Sequence, residues 1–199
     1  MEGARRRLVS CTIALLRSRG VQATGIAEIV QQSGAARRSI YNHFPSGKME
    51  LMVEATRVAG AHVNGAIRHL TEDSDPQDSL TGFVEFWKQA MIAEDFQSGC
   101  PIAMAALGSF DTPALARQAA DVFSEWRDTL AAQLQAHGLT AAEAASLATF
   151  TLSAVEGAIV QAIAYRSTDP LDVTHEHMAA LLRQRLSPNT SRRKRATAR

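Results

Sequence analysis

The sequence predicts an all-α protein, with a short three-helix module at the N-terminal end and a larger helical body behind it. Three observations carry this expectation. Apolar residues recur at three- and four-residue spacing along most of the chain, and nowhere alternate as a half-buried strand would. Gly and Pro sit at the ends of these stripes rather than inside them. Charge is also partitioned, so that the formal net charge of +1 hides three unlike segments. Residues 1–57 hold nine Lys/Arg against four Glu, a net of +5. Residues 58–191 hold seven against sixteen acids, a net of −9, and residues 192–199 hold five and no acid. A basic end on an acidic body implies that one end meets a polyanion, the alternative being solvated charges segregated by chance.

With 199 residues, 46% hydrophobic and 21% charged, the chain has enough apolar material to bury a core without disulfide or metal staples. Cys11 and Cys100 fall in different segments and form no disulfide framework. The start is basic, but Ser10, Cys11 and Thr12 interrupt the apolar stretch after it and no small-residue cleavage site follows. A reducing cytoplasm is therefore the expected setting. No uninterrupted apolar run reaches the ~18 residues of a membrane span, so no membrane partner is expected.

Taken in order, a first helix is expected over 5–19, with Leu8, Cys11, Thr12, Leu15 and Leu16 on one face and Gly20 ending it. A second is expected over 25–33, with Ile26, Ile29 and Val30 inward and Glu28 placed to serve the free amides of its first turn. Gly34 breaks the chain before a third helix over 36–43. After the turn Pro45-Ser46-Gly47, a fourth runs over 48–70, its buried stripe marked by Leu51, Met52, Ala55, Val58 and Ala59. The polar stretch 71–76 leads to helices at 79–95, 99–109, 112–137, 141–166 and 172–187. Gly99-Cys100-Pro101, Asp111-Thr112-Pro113, His137-Gly138 and Asp169-Pro170 punctuate them. These elements divide into a module over 1–60, a body over 61–187 and a basic tail over 188–199 too polar to pack.

The second and third helices, joined by a Gly turn, have the requirements of a helix-turn-helix. Ile29 and Val30 brace Ile40, and Phe44 follows it at a spacing of four. That leaves Arg37, Arg38, Ser39, Tyr41, Asn42 and His43 to face outward from one short helix. Arg donates in pairs to O6 and N7 of guanine, and Asn pairs likewise with adenine. Ser, Tyr, His and Lys suit phosphates, which fix position without reading sequence.

The string Gly20-x3-Thr24-Gly25-Ile26-x-Glu28-Ile29-Val30-x3-Gly34-x5-Ile40-Tyr41-Asn42-His43-Phe44, followed by Lys48-x2-Leu51, resembles the tetracycline-repressor (TetR) family. The resemblance covers about residues 6–60 and implies a DNA-binding helix-turn-helix at about 25–44. It implies base-facing positions for Arg37, Arg38 and Asn42, and backbone contacts for Thr24, Ser39, Tyr41, His43 and Lys48. Three departures stand out. Gly25 replaces the usual Ser or Thr cap, which weakens that helix start by a few tenths of a kcal/mol. Ala36 and Arg38 stand where Ser and Gly are frequent, so the operator sequence does not carry over. The turn Pro45-Ser46-Gly47-Lys48 is one residue longer than is common, and with Gly99-Cys100-Pro101-Ile102 it is similar to the LmrA/YxaF-like branch, whose members resemble regulators of drug-efflux genes.

For the body, the resemblance implies a small-molecule sensor and pairing of two subunits through the last two helices. The residues themselves admit two readings. Ala154, Gly157, Ala158 and Ala162 allow close approach by another helix, and Met178, Leu181, Leu182 and Arg185 recur at helical spacing on the last one. These fit a dimer interface, or an alanine-rich helix packed within its own chain. Phe83, Trp87, Met91, Met104, Phe123, Trp126 and Phe150, with Phe86 and Phe110 beside them, fit an apolar ligand pocket or simply a core. Glu156 fits the counter-charge to a cationic ligand, or a partner for an Arg across the dimer.

No catalytic, cofactor or metal site is expected. Gly47-Lys48 precedes Met49 and lacks a Gly-rich phosphate loop, and no Gly-x-Ser-x-Gly elbow occurs. His175 and His177 lie on different helix faces, His62 and His69 are two turns apart, and Cys100 has no adjacent base. The expectation is a homodimeric, non-enzymatic regulator on a pseudo-palindromic double-stranded DNA operator, a repressor released by a small apolar or amphipathic inducer. The alternatives are a ligand-independent regulator or activator on the same scaffold, and a helical small-molecule binder or enzyme.

Overall fold

In the computed structural model, residues 2–108, 110 and 112–187 are described, and they form nine helices with no strand among them. The tail over 188–199 lies outside the described residues. Helix α1 spans Glu2–Ala23 and breaks at Gly20, whose backbone turns to φ 73, so the expected stop appears as a kink. Helix α2 spans Ile26–Ser33 and α3 spans Arg37–His43. Their starts are extended residues without a side-chain cap, Gly25 and Ala36, as the departure at Gly25 implies. Gly34 joins them in the left-handed region at φ 62, where a Cβ is strained. The short helices are held by their apolar faces, with Ile29, Ile40 and Phe44 buried against Leu8, Leu15 and Leu51 in one core.

Helix α4 spans Lys48–Thr71 without interruption and packs on both α1 and the body. The expected boundary near residue 60 is thus a point on a shared helix. The body consists of α5 (Pro76–Ala93), α6 (Pro101–Leu107), α7 (Pro113–Ala136), α8 (Ala141–Tyr165) and α9 (Asp169–Leu186). Four of these five helices carry Pro in their first turn, where φ is preset and no intrahelical hydrogen bond is lost. Pro76 starts α5 three residues earlier than expected, and the Asp75 carboxylate caps it by accepting from the Gln77 amide at 2.8 Å. Thr140 and Glu143 cap α8 reciprocally.

Two contacts fix the middle of the molecule. Helices α4 and α7 meet at Gly60, where a Cβ would stand 2.5 Å from both methyls of Val122. One turn on, the Trp126 indole donates to the Gly60 carbonyl at 2.9 Å. Helix α8 is long and apolar enough, by length and composition, to cross a membrane, although polar residues interrupt its apolar stretch. In this fold it packs against α7, α9 and α5, and residues such as Leu152, Val155 and Ile159 are buried there.

Candidate nucleic-acid interface and ligand cavity

The arginines of the N-terminal module divide into two groups. On α1, Arg5, Arg7, Arg17 and Arg19 are committed to partners within the chain, while Arg6 is exposed. Arg5 pairs with Glu54 at 2.6 Å and lies over the Phe44 ring, tying α1 to the end of α3 and to α4. Arg7 donates to the Ser33 carbonyl at 3.2 Å, and Arg19 pairs with Glu28 at 3.1 Å. Glu28 also accepts from Gln32, so its carboxylate braces α2 against α1 instead of serving the first-turn amides as expected. Arg37 and Arg38 on α3 are exposed and have no carboxylate partner among the described residues. Tyr41 and Asn42 are exposed beside them, and Ser39 and His43 are half-buried at the edge of the same helix. The bracing charges are paired and the outward ones are free, which is the arrangement a groove-reading helix requires.

Two expected backbone contacts look different in the structure. Thr24 is fully buried and its hydroxyl donates to the Gly20 carbonyl at 2.6 Å. That corrects its expected role: the side chain holds the break in α1 and presents nothing to a phosphate. Lys48 is half-buried and donates to the Val21 carbonyl at 3.3 Å, which fixes the longer turn and leaves the ammonium two more protons.

In the body, a cavity of about 310 Å³ opens between α7 and α8. Phe123, Ser124 and Arg127 line it from α7, and Thr149, Leu152, Ser153 and Glu156 from α8. Of the expected ligand residues only Phe123 and Glu156 reach it. Phe83, Trp87, Met91 and Trp126 are core side chains, a correction with a plain cause: bulky apolar groups at helical spacing fill the space between helices. Met104 is half-buried against Gly20, and Phe150 is exposed and lines a separate groove with Leu181 and Arg185. Sequence reasoning missed Ser124, Arg127, Thr149, Leu152 and Ser153. Their signal was present as Thr149, Leu152, Ser153 and Glu156, three and four apart on one face of an otherwise apolar helix.

Glu156 is the electrostatic oddity of the body. Its Oε2 is buried and has no hydrogen-bond partner among the described residues. Burial pushes its carboxyl up to about 7, opposed in part by a hydrogen bond with the Cys100 thiol. Burial, followed by the neighbouring Glu156 charge, raises the Cys100 thiol well above its usual range, so it is unreactive rather than nucleophilic. Among the described residues, the Trp87 indole N–H is the other buried side-chain polar group without a partner. No group of three His, Cys, Asp or Glu side chains among the described residues is placed to hold a metal ion.

The expected dimer residues also divide. Ala158, Ala162, Met178 and Leu182 are buried within the chain, so they are corrected from interface to core: the small residues let α8 approach its own neighbours. Ala154 and Leu181 are half-buried, while Gly157 and Arg185 are exposed. The outward apolar groups here are Phe150, Val160 and Tyr165 on α8 and Val173 on α9, each more than half exposed.

A braced two-helix scaffold that presents unpaired Arg and Asn from its second helix defines a helix-turn-helix DNA-binding protein. Residues 8–55 match the sequence profile of bacterial regulatory proteins of the tetR family, and residues 76–177 match that of the transcriptional regulator LmrA/YxaF-like C-terminal domain. The chain is 37% identical over 199 residues to an uncharacterized HTH-type transcriptional regulator of Mycobacterium tuberculosis, an alignment covering 96% of this chain and 100% of that one. It is 28% identical over 184 residues to the regulator YxaF of Bacillus subtilis, covering 92% and 96% of the two chains. The crystal structure of regulatory protein TetR from Rhodobacter sphaeroides superposes with a TM-score of 0.81 at 19% identity, covering 89% of this chain and 97% of that one. This chain belongs to the TetR family of bacterial transcriptional regulators and carries an LmrA/YxaF-like C-terminal domain.

Proposed function

We propose that the protein is a cytoplasmic, homodimeric repressor that leaves its operator when a small molecule occupies the α7/α8 cavity. The single observation that carries the reading is the unpaired, outward set Arg37, Arg38 and Asn42 on α3, beside an α1 whose Arg5 and Arg19 are held in ion pairs. In this reading two copies of α3 enter major grooves about one helical turn apart, near 34 Å, on a pseudo-palindromic operator. Ser39, Tyr41, His43 and Lys48 contact phosphates and set register. Exposed apolar groups on α8 and α9 form the dimer face, and the finding that a Cβ at Gly157 would meet nothing within 4 Å leaves room there for a second helix.

A short chain of contacts suits the coupling of cavity to reading head. Glu156 bonds the thiol of Cys100, the residue that begins α6. Adjacent Gly99 donates its amide to the Arg17 carbonyl at 3.0 Å and accepts from the Arg17 guanidinium at 3.2 Å. Arg17 also pairs with Glu94 at 2.7 Å, so α1 is latched to the α5–α6 connection on both sides. A ligand that displaces Glu156 pulls on this latch, and by linkage ligand and DNA weaken each other by the same factor.

The test is a gel shift with the DNA upstream of the protein's own gene, read at several salt concentrations. Arg37→Ala and Asn42→Ala are each expected to cost about 1–3 kcal/mol on operator and to relax preference at one position per half-site. Lys48→Ala is expected to weaken all sequences alike. Equal loss on operator and random DNA for Arg37→Ala removes its base-reading role, and no shift with any genomic fragment removes the reading altogether.

A further inference from the structure

We infer that the α7/α8 cavity takes a small, largely apolar monocation, a primary-amine type, whose ammonium pairs with Glu156 while its apolar part lies against Phe123 and Leu152. This rests on the reading of that cavity as the ligand site and adds the chemistry of what fills it. Four observations converge. The cavity is large enough, at about 310 Å³, for a one- or two-ring molecule, and it is lined mostly by carbon. On its wall stands a carboxyl whose Oε2 is sealed from solvent and unpartnered, which is costly unless something donates to it. The terminal torsion of a Glu side chain is broad, so Oε2 swings into the cavity at small cost. Finally, the only other charged lining group, Arg127, is already occupied: its Nε and Nη2 both donate to Asp128, at 2.8 and 2.7 Å. Glu156 is therefore the uncompensated charge of the cavity wall.

A neutral hydroxyl satisfies a hydrogen bond to that carboxyl but leaves its charge buried. An ammonium satisfies both, and Phe123 in the cavity lining adds an aromatic ring, which attracts a cation placed over its face. The surrounding segment 58–191, with its net of −9, draws cations to this end of the molecule and away from the DNA-binding module. The groups facing Glu156 are the Cys100 thiol at the start of α6 and Arg127 across the cavity on α7, and α5 and α9 bring none that bears on its titration. The carboxyl titrates near 7, so the cation-binding, ionised form grows as pH rises through neutrality and disappears below it.

The test uses the full chain in isothermal titration calorimetry with a matched pair of probes, 4-phenylbenzylamine and 4-phenylbenzyl alcohol. At about pH 8 the amine is expected to bind at least about tenfold more tightly than the alcohol, a preference that falls several-fold by about pH 6 while the alcohol's affinity stays flat. Glu156→Gln, near-isosteric and itself a hydrogen-bond partner, is expected to bring the two probes within about twofold and to abolish the pH dependence. Ser124→Phe, which fills the cavity from α7, is expected to remove both. Equal binding of amine and alcohol to the parent, an unchanged preference in Glu156→Gln, or no amine binding at all overturns the inference. A gel shift with the amine separates the two claims: binding that leaves the operator complex intact keeps the cation site and sinks the inducer reading.

Discussion

Glu54 shows how much of the DNA-binding module depends on single charges. It receives two hydrogen bonds from Arg57, at 2.7 and 2.9 Å, and one from Arg5 at 2.6 Å. The Arg57 hydrogen bonds foremost, then Arg5, hold its carboxyl down to about 2. A carboxyl lowered by folding stabilises the native state above its ordinary value of about 4.5, and that contribution vanishes as pH falls through about 2. Both guanidinium partners are half exposed, which discounts the gain to about 1–2 kcal/mol at neutral pH. Glu54→Gln is expected to lose that amount in chemical denaturation at neutral pH, with the gap to the parent closing between about pH 4.5 and about pH 2. A gap that stays constant with pH assigns the effect to packing instead of charge. At this scale the sequence was a partial guide. Arg37, Arg38 and Asn42 were legible because three polar groups on a short helix have no core to join. The burial of Thr24 was not, because its partner, the Gly20 carbonyl, exists only once α1 breaks.

Helix boundaries were legible to within a few residues because their signals are local, such as Gly34 in the left-handed region and Pro101 and Pro113 in first turns. The Asp75 cap and Pro76 went unread, and α5 starts three residues before the expected point. What the stripes could not say is which helix each one meets. The aromatic-rich middle of the chain suggested a cavity, but Trp126 is spent on the α4–α7 crossing and the open space lies one helix face away, beside Thr149 and Ser153. That crossing is one of the contacts joining the shared helix α4 to the body, and it has a specific steric condition. A methyl at residue 60 would stand 2.5 Å from two methyls of Val122, a β-branched side chain with few alternative rotamers. Gly60→Ala is therefore expected to destabilise by about 1–3 kcal/mol, outweighing the roughly 1 kcal/mol that Ala gains over Gly in a helix. Paired with Val122→Ala, which opens the space, the double variant should recover part of the loss beyond additivity. Strict additivity in thermal unfolding would place the crossing elsewhere.

Across the whole molecule, the charge partition, the cavity and the outward face of α8 and α9 fit a single logic in which one end reads a polyanion and the other senses and pairs. The small-residue pattern expected to serve pairing splits between two sides of the helix, with Ala158 and Ala162 turned inward and Gly157 outward. Ala158 and Ala162 let α8 pack within its own chain, so a charge placed at Ala158 would unfold the body before it separated two copies. Gly157, one residue away, is exposed, and a Cβ there would meet nothing within 4 Å. No contact inside the chain calls for glycine at that position, where it costs a helix roughly 1 kcal/mol against Ala. In the proposed dimer, close approach by a partner helix would supply the reason, and Phe150, Val160 and Val173 are exposed on the same two helices. Gly157→Leu accordingly separates folding from pairing. Its unfolding temperature, measured at a concentration low enough to dissociate the parent, is expected to match or slightly exceed the parent's. In sedimentation at concentrations where the parent is a dimer, the variant is expected to run as a monomer. Its operator affinity should drop by orders of magnitude while its weak binding to a single half-site persists, because two tethered reading heads multiply affinity only when they are held together. A Gly157→Leu variant that stays dimeric and keeps full operator affinity would show that α8 does not carry the interface.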